Sequence, residues 1–124
     1  MAKLVHDDVL DAALNFIKNN ANEMTVCSGE PATYADAHTT LKLADVVMAS
    51  GDFTVGEGDA SGRKVAVAQK ANVTVDATGT AVRVCLNDTS GSKLLYKTEC
   101  TSQSLTSGNT VTFPTWDIEI ADPT

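Results

Sequence analysis

The sequence predicts a mainly β fold of the α+β kind: one N-terminal helix followed by an antiparallel β-sandwich or partly closed barrel of seven or eight strands. Three observations predict it. From Thr80 to Asp122 the chain runs as short strands with polar turns. It closes on Trp116-Asp117-Ile118-Glu119-Ile120, whose alternation gives a sheet one buried and one wet face. Only 5% of residues are aromatic, so Val, Leu, Ile and Ala must build the core, and abundant Val and Thr lean towards strands. A length of 124 residues fits one domain over 1–124, with a helix in 1–20 and a β-domain over 23–122.

The helix is expected from His6 to Asn20. His6 or Asp7 can cap it, and Asp7, Asp8 and Asp11 suit the positive end of its dipole. Val9, Leu10, Ala13, Leu14 and Ile17 recur at helical spacing as one apolar stripe. Such a stripe must lie on the sheet or on a neighbouring subunit.

The strands follow in order. Glu23 to Ser28 alternates, with Met24 and Val26 on one face and Thr25 and Cys27 on the other. Ser28-Gly29-Glu30-Pro31 is a turn, and Tyr34 to His38 suits one helical turn. Strands are expected at Thr40–Ala49, Phe53–Val55, Lys64–Gln69 and Asn72–Asp76. A hairpin turns at Asp88-Thr89-Ser90-Gly91-Ser92. Matching its apolar faces sets Leu86 opposite Leu94, Val84 opposite Tyr96 and Val82 opposite Thr98. That register puts Cys85 opposite Leu95 and Arg83 opposite Lys97, with Glu99 diagonal to Arg83, so that face must be wet or meet acidic groups. A crossing over Thr101–Asn109 leads to Val111–Phe113. Pro114 then marks an edge or a bend, because it removes a ladder donor.

The net charge of −7 comes without a basic stripe, and nothing from Thr98 to Thr124 is basic. Nucleic acid is therefore not the expected partner, since phosphate neutralisation needs clustered Lys and Arg. No apolar run approaches the roughly 20 residues that span a bilayer, so no membrane partner is expected. The charged start MAKLVHDDVLD does not read as a secretory signal, which points to synthesis in a cytoplasm. Cys27, Cys85 and Cys100 lack zinc-site spacing and read as buried thiols; their odd number leaves one for an inter-subunit bond.

Candidate chemistry is sparse, and neither cofactor nor metal is expected. His6-Asp7-Asp8 reads as a helix start, and His38 as a solitary surface histidine. No Ser stands in a nucleophile-elbow pattern. Asp52, Glu57 and Asp59 offer hard oxygens in a Gly-rich loop, but not at EF-hand spacing, so a solvated loop is expected. Gly56, Gly58 and Gly62 precede no helix that would complete a phosphate cradle. Asn72 and Asn87 head sequons that mean little without a secretory signal. Trp116, in phase with Ile118 and Ile120, reads as core first and as a contact platform second.

Residues 84–123, VCLNDTSGSKLLYKTECTSQSLTSGNTVTFPTWDIEIADP, together with the opening HDDVLDAALNFIKNN, resemble small virion structural proteins of tailed bacteriophages. The likeness lies in the apolar strand, polar turn, Lys-Leu-Leu-Tyr, Ser/Thr-rich crossing and closing alternating strand. It implies a non-enzymatic, β-rich protein of the virion, made in the bacterial host cytoplasm. Capsid decoration (cement) is the preferred role, because the long repeats of fibres are missing. The implied partners are the major capsid protein and further copies of the chain, as a trimer or dimer. Val9, Leu10, Leu14, Ile17, Cys85 and Trp116 are the candidate interface residues. A tail or fibre-associated protein is the alternative, followed by a carbohydrate- or receptor-binding module.

Overall fold

The computed structural model describes residues 3–123. The expected α+β architecture is present: helix α1 (Asp7–Asn20) precedes nine strands, all paired antiparallel. They are β1 (Glu23–Cys27), β2 (Lys42–Val47), β3 (Phe53–Glu57), β4 (Arg63–Val67), β5 (Lys70–Thr74), β6 (Gly79–Asp88), β7 (Lys93–Leu105), β8 (Thr110–Phe113) and β9 (Trp116–Ile120). Three sheets form, in the orders β2-β1-β6-β7, β3-β4-β9 and β5-β8, and they do not close into a barrel. The strands number one more than the upper expectation. Pro114 and Thr115 separate β8 from β9, which join different sheets, as a ladder-breaking proline requires.

Each element follows from its residues. His6 caps α1, its Nδ1 accepting the Asp8 N–H at 3.0 Å. Leu10 and Leu14 sink into the domain, and α1 lies over β3 and β4. The core joins Leu14 to Met24, Val26, Phe53, Val65 and Ile118, so helix and sheets share one apolar interior. At the β3–β4 turn, Gly62 adopts φ +71, and a Cβ there would strike the Ile120 carbonyl. Asn72, also at positive φ, interrupts the β5–β8 ladder between Lys70 and Val73.

The hairpin turn is where the sequence puts it, but the register is not. Leu86 faces Tyr96, Val84 faces Thr98, Cys85 faces Lys97 and Arg83 faces Glu99. The partners are two residues further on than expected: the turn itself pairs Asn87 with Leu94, one residue off, and an extra residue, Leu95, bulges between that pair and Leu86–Tyr96 and adds the second. A second bulge sets Val82 against Cys100–Ser102. The expected crossing at Thr101 is corrected as well: β7 continues to Leu105.

The face that carries Arg83 and Lys97 meets acidic groups, one of its two expected outcomes: Arg83 lies 3.7 Å from Glu99 and Lys97 3.4 Å from Glu30. Strand β1 is buried at all five positions, which means both faces of the four-stranded sheet are packed. The helical turn over Asp36–Thr40 lies on the outer face, where Ala37 and Leu41 seal Cys27 and Cys85. Cys85 is fully buried, as the reading of the cysteines as buried thiols expects, and this removes it as a candidate interface residue.

Candidate functional site

A concave feature lies where the four-stranded sheet parts from β8 and β9. A cleft of about 490 Å³ opens between β7 on one side and Phe113, Pro114 and Trp116 on the other, with Val26 and Val84 among its apolar walls. Its construction is local. The Cys100–Ser102 bulge bends β7, and the break at Pro114 lets β8 and β9 diverge into separate sheets. Thr98, Thr101 and Gln103 add neutral polar groups to the lining, while Glu99 and Asp117, also at its edge, direct their carboxylates to Arg83 at 3.7 Å and to Lys64 at 3.5 Å.

Trp116 is half-buried in this wall. Its ring tilts by 36° against Tyr96, with centroids 5.9 Å apart. Its Nε1–H is shielded from solvent and has no acceptor among the described residues. Buried indole donors are ordinarily paired, so this is an unmet donor in the cleft wall, which a ligand reaches only when the side chains shielding it shift. The reading of Trp116 as core captures the packing on Tyr96 and misses the cleft.

A second polar assembly lies on the opposite face of the sheet. Glu23, nearly buried, accepts from Asn87 Nδ2 at 3.0 Å, and His38 Nδ1 lies 2.8 Å from the same Oε1. Tyr34 stacks on the His38 ring at 4.9 Å. His38 is therefore not the solitary surface histidine expected; it ties the Asp36–Thr40 turn to β1. No hydroxyl or thiol among the described residues is hydrogen-bonded to that ring. Beside it, Cys27 and Cys85 form a buried thiol pair, and the Cys85 thiol is pushed far up by its hydrogen bond with Cys27 and by burial. Burial also raises the half-buried Cys100 thiol. The hydrogen bond with Cys85 lowers the Cys27 thiol in turn, so it is Cys85 and Cys100 that are held protonated and poor as nucleophiles.

The carboxylates expected to cluster in the Gly-rich loop are dispersed. Asp52 caps the Ser50–Asp52 turn through the Ala49 N–H and pairs with Lys70 at 3.0 Å; Glu57 pairs with Arg63 and Asp59 with Lys64. A different trio, Asp59, Asp117 and Glu119, brings carboxylate oxygens within 4.8 Å of one another. Lys64 takes the cation's place there, its Nζ 2.7 Å from Asp59 and 3.5 Å from Asp117. The hydrogen bond to Asp59 holds that ammonium above its usual range.

The candidate interface residues separate into two groups. Leu10 and Leu14 are buried in their own domain and Ile17 packs beside them, so the expectation that they face a partner is corrected, as it is for Cys85. Val9 is 63% exposed. Phe16, which the stripe expected from sequence omits, is 48% exposed on the same side of α1. A helical plot that includes Phe16 would have found this second stripe, since Val9 and Phe16 are seven residues apart. Nothing in the sequence signals Glu23 with Asn87, which are 64 positions apart. Comparison with family models, curated protein sequences and solved structures finds no match to this chain.

Proposed function

We propose that this chain is a non-enzymatic binding domain of a bacteriophage particle, a capsid decoration protein that seats a short segment of the major capsid protein in the cleft beside Trp116. The cleft with its unpaired indole donor is the observation that carries the binding part. A peptide carbonyl satisfies that N–H once the side chains shielding it shift, and an apolar side chain fills the space over Val84 and Phe113. The phage part rests on the resemblance of residues 6–20 and 84–123 to small virion proteins. In this role the chain works through binding energy alone: a ligand that prefers the assembled shell stabilises it by mass action.

Co-sedimentation with separated heads and tails tests the assignment. Wild-type protein is expected to bind mature heads and saturate at a fixed number of copies per shell. Binding only to tails moves the protein to a tail or fibre role, and binding to neither removes the virion reading.

A glycan is the second reading, favoured by the combination of one aromatic ring with Thr98, Thr101 and Gln103 in the same cleft. A saturable change of Trp116 fluorescence with a soluble oligosaccharide supports it; an unchanged spectrum across a glycan panel rejects it.

A further inference from the structure

Helix α1 is apolar on two sides, and only one is covered. Leu10, Leu14 and Ile17 pack inward. On the outward side Val9, Ala12, Ala13 and Phe16 fall at i, i+3, i+4 and i+7, and all four are exposed. Scattered exposed apolar residues are ordinary on a soluble protein, but four aligned on one helix face form a stripe.

The geometry points to a second copy of this chain as the occupant of that stripe, packed α1 against α1 about a two-fold axis. The stripe is self-complementary. It has a bulky residue at each end and two alanines in the middle, and the midpoint between Val9 and Phe16 falls between Ala12 and Ala13. An antiparallel partner therefore lays Val9 against the other copy's Phe16 and brings the two alanine pairs together at the axis, where small side chains allow close approach. The charges agree with that direction. Asp7 and Asp8 occupy the first turn, while Lys93 from the β6–β7 hairpin stands over the Phe16 ring at 5.9 Å. Reversing one helix sets the acidic end of each beside the other's Lys93, and it also opposes the two helix dipoles. The stripe spans about 10 Å of helix, so the contact is smaller than a standard stable interface and the association is weak and concentration-dependent. The inference does not rest on the virion reading or on the Trp116 cleft.

Sedimentation velocity of the full chain over a concentration series reads the association directly. The expected result is a monomer–dimer equilibrium that Phe16→Asp weakens by at least about tenfold while the circular dichroism spectrum stays unchanged. Ala13→Cys in a Cys100→Ser background, which leaves only the buried Cys27 and Cys85 besides the new thiol, is expected to cross-link to itself with a short bis-maleimide. Ser90→Cys, in the exposed hairpin turn, serves as the control and is expected not to. A monomer at every concentration overturns the inference. So does a trimer, or a dimer that survives Phe16→Asp and leaves Ala13→Cys uncross-linked.

Discussion

Arg63 on β4 reaches across to α1, where its Nε lies 2.8 Å from Asp11 Oδ1 and its Nη2 3.3 Å from Asp11 Oδ2. Both side chains are largely shielded, and Nη1 continues to Glu57 at 2.7 Å. Two parallel bonds from one guanidinium fix direction as well as distance. The hydrogen bond with Asp11 holds the Arg63 pKa above its usual value. This clasp fixes the rotation of the helix and decides which stripe is buried and which faces out. Asp11→Asn is expected to lower the melting temperature and to speed amide exchange in α1 more than in β1. Equal exchange in both elements would mean that packing alone sets the helix.

Leu14 is fully buried at the centre of that contact. Leu14→Ala is expected to destabilise the fold by about 2–5 kcal/mol in urea denaturation, from lost transfer energy and the cavity left behind. A cost well under 1 kcal/mol would show that α1 contributes little to the core.

Asn87 is buried, donates to Glu23 and has an Oδ1 with no partner among the described residues. Asn87→Ala takes one donor from a buried carboxylate, and a loss of about 1–3 kcal/mol is expected. Glu23→Gln in the same background should recover part of it, because a neutral amide needs less compensation than a charge. An unchanged denaturation midpoint in Asn87→Ala would contradict this reading of the network.

Asp52 gives a pH dependence with a definite sign. Burial pushes its carboxyl up, but the Ala49 N–H and the Lys70 ammonium outweigh burial and hold it below the usual carboxylate range. A pKa lowered by folding contributes stability that is present above the unfolded value, near 4, and is lost as pH falls through the folded value. Asp52→Asn should therefore flatten the acid side of the stability profile and leave its slope above about pH 5 unchanged. An acid limb identical to wild type would assign the loss to other carboxylates.

The legible parts of this chain were those set by local chemistry. The capped helix start, the Asp88–Ser92 turn and the break at Pro114 each depend on a few adjacent residues. The register of β6 with β7 was not legible, because Leu95 and Cys100–Ser102 look like any strand residues and bulge only when paired. The burial of Cys85 depends on Ala37 and Leu41 folding back over the sheet, and periodicity in the hairpin cannot report that. The same bulge and break that defeated the register build the cleft, which explains why only Trp116 among its lining residues stood out in sequence.

The claim that the cleft is the binding surface is tested most directly by hydrogen exchange of the protein bound to saturating phage heads, compared with the free protein. The account predicts that protection rises in Thr98–Gln103 and Phe113–Asp117 and that Trp116→Phe, which keeps a ring but lacks the indole donor, binds heads more weakly. Protection confined to other elements, with full-strength binding by Trp116→Phe, would contradict it.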